Sequence, residues 1–399
     1  MAGAENSPMR MVSAVTLGLT VGVVLPTLCR ACLWDSDTLA AEARGLPGIV
    51  EVTTGFFPRN PPKYYEMRLE RVERELAAEP SALNSYDDAG VACDRLHRPE
   101  QAMEWMAKKR KWMEAHPDLA SADDWYRYHA NLGTFFAHQW FFTRGENVGA
   151  EPLREAISHI EQAIEINPDA HFGRERIQLA VIRFALEAAS PVLSEDLDRF
   201  DIFMNSQDGM ASPSRVEGLV GLIVLGAAWE SPDLFQALSQ TLALRDLSLA
   251  LFARLRMIES FEAGRTSIDP RVKSEDDVMP LLSRFKDKTQ YSRIEADFAT
   301  LRAAADAWQE KRTRYMEARF DQGMHPDVTP TFWSKWSDPT DDPNKPTARI
   351  PFRMGNLRTH LHNPSILFPI VFMGSALVVV RIFFWRRRIA RDGSLARAA

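Results

Sequence analysis

The stretch EPLREAISHIEQAIEINPDA, residues 151–170, decides how the rest of the chain is read. Ala156, Ile160 and Ala163 lie four and three residues apart, the interval that puts side chains on one face of an α-helix. Pro152 suits a first turn, where its missing N–H costs nothing, and Asn167-Pro168 ends the pattern. A helix over Pro152–Ile166 with a small–large–small apolar face is therefore expected. Upstream, His129, Leu132, Gly133 and Phe136 form a matching face. The same spacing occurs earlier, in Tyr86, Ala89, Gly90 and Cys93, followed by Ala102, Met106 and Pro117. Gly90 and Ala102 are small so that two helices can cross closely, while Tyr86 and Met106 fill the space around the crossing. His97-Arg98-Pro99 supplies the turn. Gly90 and Ala102 are 12 residues apart, whereas Gly133 and Ala156 are 23 apart, so the second unit carries an insertion, with Arg144–Asn147 in it. A third, weaker copy has Leu222, Leu225, Gly226 and Trp229, then the turn Ser231-Pro232-Asp233, then Leu238 and Leu242. The fold class this implies is all-α, built of helix hairpins.

The pattern resembles the tetratricopeptide-repeat (TPR) family over residues 83–169, and more loosely as far as Gly264. It departs from that family at Cys93 and Leu222, where large aromatic residues are usual, and in the irregular spacing between copies. The resemblance implies a right-handed superhelix of helix pairs, whose first helices line a concave groove for a peptide or protein surface. Carried over by register, Asp87, Val91, Asp94 and Arg95 of the first copy would face that groove, with Arg127, Ala130, Thr134 and His138 of the second. The expected activity is binding without catalysis: no catalytic residue, metal ligand or cofactor is assigned.

Around this repeat region (81–264) the chain divides further. Residues 32–80 are a lead-in, with a short strand expected at Val50–Thr54 and a helix over Tyr64–Ala78 on the stripe Tyr65, Leu69, Val72 and Leu76. The next helix is expected to begin near Ala82. Residues 265–324 extend the helical part: Ser267–Asp277 reads as a connection and Tyr291–Arg319 as a long helix with Ile294, Phe298, Leu301, Ala305 and Trp308 as its apolar set. Six prolines between 325 and 351 favour an extended stalk over 325–363.

The two ends read as membrane-directed. Residues 1–31 have Arg10, the apolar run Met11–Leu28 and a small residue at Ala31, the order of a secretory signal peptide. At the other end, residues 364–385 form a transmembrane helix by composition. Ile366–Trp385 is 20 residues long, enough to cross about 30 Å of hydrocarbon. Trp385 suits the interface, and the arginine-rich tail 386–399 suits the cytoplasmic side. From Arg381 onward there are six arginines and one aspartate, in a chain whose net charge is −6, so the intervening part is markedly acidic. A single-pass protein of the bacterial inner membrane, with most of its chain extracytoplasmic, is the expected topology. Its partners would be a protein or peptide, and the bilayer through the C-terminal helix.

Composition narrows the remaining classes. With 48 Lys+Arg against 54 Asp+Glu there is no basic surplus for nucleic acid, and three cysteines cannot staple a disulfide scaffold. P-loop, dinucleotide, nucleophile-elbow and zincin motifs are absent from the sequence. The alternative class is an envelope enzyme or thiol-redox accessory using Cys29 and Cys32, spaced C-x-x-C, or His360 and His362 near the stalk. Leu33 in place of histidine excludes covalent haem attachment at that motif. The run Lys108–Lys111 reads as a solvated face, and Phe141 with Phe142 as a candidate exposed patch.

Overall fold

The computed structural model describes residues 33–38, 46–143, 148–168, 174–190, 200, 203–204, 213–226, 228–243, 245–278 and 288–337. Among them every regular element is helical: α1 (Ile49–Thr54), α2 (Pro62–Ala78), α3 (Leu83–Arg95), α4 (Pro99–Ala115), α5 (Ala122–Thr143), α6 (Glu151–Ile166), α7 (Arg174–Ala188), α8 (Pro213–Val224), α9 (Pro232–Ala243), α10 (Leu247–Glu262) and α11 (Lys288–Phe320), with one 3₁₀ turn at Glu275–Asp277. They belong to one packing unit that ends at Trp336.

Consecutive helices pack against each other along the chain: α3 on α4, α5 on α6, and α9 on α10 most extensively. On α6 the apolar face is the expected one, with Leu153, Ala156, Ile160 and Ala163 fully buried. Gly133 marks the tightest crossing. A Cβ there would lie 2.9 Å from Ile160 Cδ1 and Cγ1 and 3.1 Å from the Ala156 carbonyl oxygen. Gly90 is also close-packed, against Met106 Cε at 3.0 Å and the Phe135 ring at 3.0 Å. The third copy pairs differently from its sequence reading. Its second helix, α9, packs mainly on the following α10, which Asp246 starts by accepting hydrogen bonds from Ser248 N and Leu249 N (2.9 and 3.0 Å).

Two expectations for the lead-in are corrected. Val50–Thr54 is not a strand but most of helix α1. Its β-branched hydroxyls bond back to the preceding turn, Thr53 Oγ1 to Ile49 O and Thr54 Oγ1 to Val50 O, both at 2.7 Å. Gly55, at φ +81°, closes it in the left-handed conformation that glycine adopts without penalty. Burial against α8, α10 and α11 overrides the strand preference of these residues. On α2 the buried stripe is Tyr64, Arg68, Val72 and Leu76. Val72 and Leu76 are as expected, whereas Tyr64 and Arg68 stand in the stripe in place of Tyr65 and Leu69.

The long helix α11 returns along α10, α1 and α2, and residues 325–336 then fold back instead of running out as a stalk. His325 Nε2 lies 3.1 Å from the Tyr64 carbonyl, Tyr315 Oη donates to the Phe332 carbonyl at 2.5 Å, and Phe332 is fully buried. No helix among the described residues is long and apolar enough to cross a membrane. The expected signal peptide, transmembrane helix and basic tail, with Cys29, Cys32, His360 and His362, all fall outside the described residues.

The glycine geometry sets a ranked expectation. Gly133→Ala meets a β-branched side chain and a backbone oxygen and should cost about 1–3 kcal/mol in chemical denaturation. Gly90→Ala should cost less, because the end of Met106 is free to shift.

Candidate functional site

The eight residues assigned to the groove by register are brought together on the inner face of α3 and α5, but they do not line an open channel. Asp87, Val91, Asp94, Arg127, Ala130 and Thr134 are all buried. What covers much of this face is the chain's own lead-in, Leu33–Thr38. Leu33 and Trp34 are buried, Leu33 in the cluster that holds Val72, Val91, Cys93 and Met106.

Asn131, one turn along from the expected residues on α5, holds this segment by its backbone. Trp34 N donates to Asn131 Oδ1 at 2.7 Å, and Asn131 Nδ2 donates to the Trp34 carbonyl at 3.2 Å. The amide's remaining hydrogen goes to Asp87 Oδ1 at 3.1 Å, and Asp87 in turn accepts both of its oxygens' bonds from Lys109 Nζ at 2.7–2.8 Å. Burial pushes the Asp87 carboxyl upward and the Lys109 charge pulls it back. Lys109 therefore leaves the solvated face expected for Lys108–Lys111 and is itself fully buried. Two residues further along the lead-in, Ser36 donates from its N and Oγ to Asp88 Oδ1 (2.8 and 3.0 Å). The Trp34 indole packs with Tyr126, Ala130 and Ala163, under the Arg127 guanidinium at 4.4 Å.

The other expected residues tie helices together. Arg127 donates to Asn84 and Asp123 (both 2.5 Å), and Asp94 meets His138 Nδ1 at 2.9 Å. Thr134 Oγ1 accepts from Gln178 Nε2 of α7 at 2.9 Å, and Arg95 donates to the Leu225 carbonyl just beyond α8 at 2.5 Å. Phe142 is 40 % exposed beside His97 and His138, whereas Phe141 packs on Trp140.

Beside this face lies a buried ionic knot that the sequence reading missed. Arg68 of α2, fully buried, donates to Asp35 (3.1 Å), Asp37 (3.0 Å) and both oxygens of Asp327 (2.8 Å each). Arg71 reaches Asp327 as well, at 2.8 Å, and Tyr64 Oη donates to Asp37 at 2.6 Å. The carboxylates diverge in character. Asp35 is pushed up from 3.8 to about 6, by burial first and then by the neighbouring Asp37 charge. For Asp327, burial acts upward, but the hydrogen bonds and charge of Arg68, with help from Arg71, outweigh it and hold the group at about 2. The signal for this knot was present: an aromatic followed by acids in Leu33–Asp37, and an arginine four residues after Tyr64. Neither has meaning until the two ends of the unit are known to meet.

Chemically, the arrangement grips backbone and matches buried charge. Among the described residues no three His, Cys, Asp or Glu side chains are placed to hold a metal ion. Cys93, the one cysteine described, is buried and unpaired, and burial lifts its thiol to about 11, far from the thiolate a nucleophile needs. Comparisons with protein-family models, with curated proteins and with solved structures find no match.

Two outcomes follow. Asp35 binds its proton more tightly folded than unfolded, so its contribution to stability is complete below 3.8 and is lost as pH rises through about 6. Relative to Asp35→Asn, the wild type should therefore gain on the order of 1–2 kcal/mol between about pH 6.5 and about pH 4.5, read from paired thermal melts. A wild-type and variant difference that is flat with pH would remove the buried-acid reading. Separately, Asn131→Ala should speed hydrogen exchange at the Trp34 amide while the amides of α6 keep their protection.

Proposed function

We propose that the chain is a non-enzymatic, membrane-anchored TPR-like protein that holds a protein or peptide partner on the extracytoplasmic side of a bacterial inner membrane. Its support is the series of helix hairpins with small residues at their crossings, together with the apolar and arginine-rich composition of the C-terminal end. One observation carries the binding function: Asn131 brackets the N–H and the C=O of a single residue, Trp34, just ahead of the helical turn Ser36–Thr38. Those groups are common to every residue but proline, so the grip itself is indifferent to sequence. Selectivity then comes from the surroundings: an aromatic side chain fits between Ala130 and the Arg127 guanidinium, and carboxylates fit toward Arg68.

Residues 33–38 illustrate the chemistry this face accepts: an aromatic residue followed by acids, with a helical turn beginning at Ser36. A partner segment of that kind binds by exchanging with the chain's own. Full-length protein drawn from membranes without cross-linking should release its co-purified partner when a synthetic peptide of residues 33–38 is added in excess. Asn131→Ala should reduce the captured amount severalfold. A partner retained at full level in both arms would place binding elsewhere on the molecule.

A further inference from the structure

The last turn of the packing unit exposes a surface of different character. Lys311, Tyr315 and Arg319 stand at successive four-residue intervals on α11, so they form one stripe along the helix. The 331–336 turn is fastened to that stripe: Arg319 Nη2 donates to the Thr331 carbonyl at 2.9 Å, and Tyr315 Oη to the Phe332 carbonyl. The fastening holds three aromatic rings together. Trp333 stacks on Tyr315 with centroids 5.6 Å apart and planes 12° apart, and Trp336 meets Tyr315 and Trp333 edge-on at 5.3 and 6.1 Å. Trp333 is 36 % exposed, which is unusual for so large a ring in a chain with an otherwise well-filled interior. Cations lie beside the rings: Lys311 Nζ is 5.3 Å from Trp336 and Arg319 5.8 Å from Tyr315, while Arg312, 5.2 Å from Trp333, is buried and donates to the Arg59 carbonyl and Asn60 Oδ1. Lys335 is exposed between the two tryptophans. Glu317 is two positions from both Tyr315 and Arg319, so it falls on another side of the helix, and Glu310 is matched by Arg314 at 3.1 Å.

We propose that this Tyr315–Trp333–Trp336 surface lies in the headgroup layer of an anionic bilayer, so that the helical unit rests on the membrane instead of standing away from it. Indole and phenol rings with an apolar body and a polar tip favour that layer, and adjoining Lys and Arg are drawn to anionic headgroups. The cationic stripe belongs to an otherwise acidic region, so a negatively charged bilayer attracts this face and repels the remainder. Chain length allows the contact. Only residues 337–365 separate Trp336 from the apolar segment Ile366–Trp385 in the sequence. The inference rests on the membrane-anchored reading of that segment, and it adds which face of the unit meets the lipid.

Tryptophan quenching by lipids brominated on their acyl chains near the headgroup tests it, with the full-length protein in phosphatidylcholine–phosphatidylglycerol vesicles. Of the ten tryptophans, Trp333 and Trp336 should supply a quenchable share that Trp333→Phe with Trp336→Phe removes. That share should also disappear in pure phosphatidylcholine, while the share due to Trp385 persists. Circular dichroism checks that the double variant keeps its helix content. If quenching is untouched by the double variant yet lost in Trp385→Phe, the anchor stands and the proposed face is wrong. If neither variant alters it, the anchor and the proposal fall together.

Discussion

A guanidinium taken out of water must be matched by charge and hydrogen bonds, and Arg68 is matched from three places in the sequence. Asp35 and Asp37 come from the lead-in and Asp327 from the turn after α11. Removing one partner from such a group costs about 3–5 kcal/mol, because the others are left charged and dry. That is a sizeable part of the 5–15 kcal/mol by which folded proteins are usually stable. Neither end of the packing unit can therefore leave without exposing the unpaired charge of the other. Hairpins stacked only on their neighbours would be open at both ends; here one buried cation closes them.

Closure determines what happens to the inner face of α3 and α5. Once Asp35 is fixed on Arg68, Trp34 cannot be far from α5, and Asn131 satisfies its two backbone groups there. Without that amide, both groups would be buried without partners, each costing about 1–3 kcal/mol. The lead-in is consequently part of the fold. The acids involved do not resist dissociation equally: Asp327 stays ionised across the ordinary pH range, whereas Asp35 is near the point of losing its proton. The strain of holding three carboxylates around one arginine thus falls on the lead-in side of the knot.

Much of the helical layout was legible from spacing, because a helix face repeats every three to four residues and little else produces Ala156-Ile160-Ala163 or the close-crossing Gly133. The register assigned Asp87, Asp94, Arg127 and Thr134 to a groove face, and the structure buries them. What covers them did not. Spacing reports which side of a helix is buried, not whether a segment fifty or a hundred residues away supplies the cover. Lys109 shows the limit well: within a run of basic residues it reads as solvated, and only the position of Asp87 on the neighbouring helix makes it a buried ion. Arg68 was hidden for the same reason, inside a stripe whose apolar neighbours suggested leucine. Val50–Thr54 failed differently, since the β-branched Val50, Val52, Thr53 and Thr54 carry a local strand preference that burial on three helices outweighs.

The knot also fixes where the two ends of the described helical region lie. Residues 35 and 327 bond to one guanidinium, so the lead-in and the turn after α11 are held at a single point. Arg71 reaches the same turn at Asp327, and Tyr64 Oη donates to the lead-in at Asp37. Both ends are thus held by side chains of α2, and a change in that helix that moves Arg68 disturbs the two together, which hairpins stacked only on their neighbours would not do.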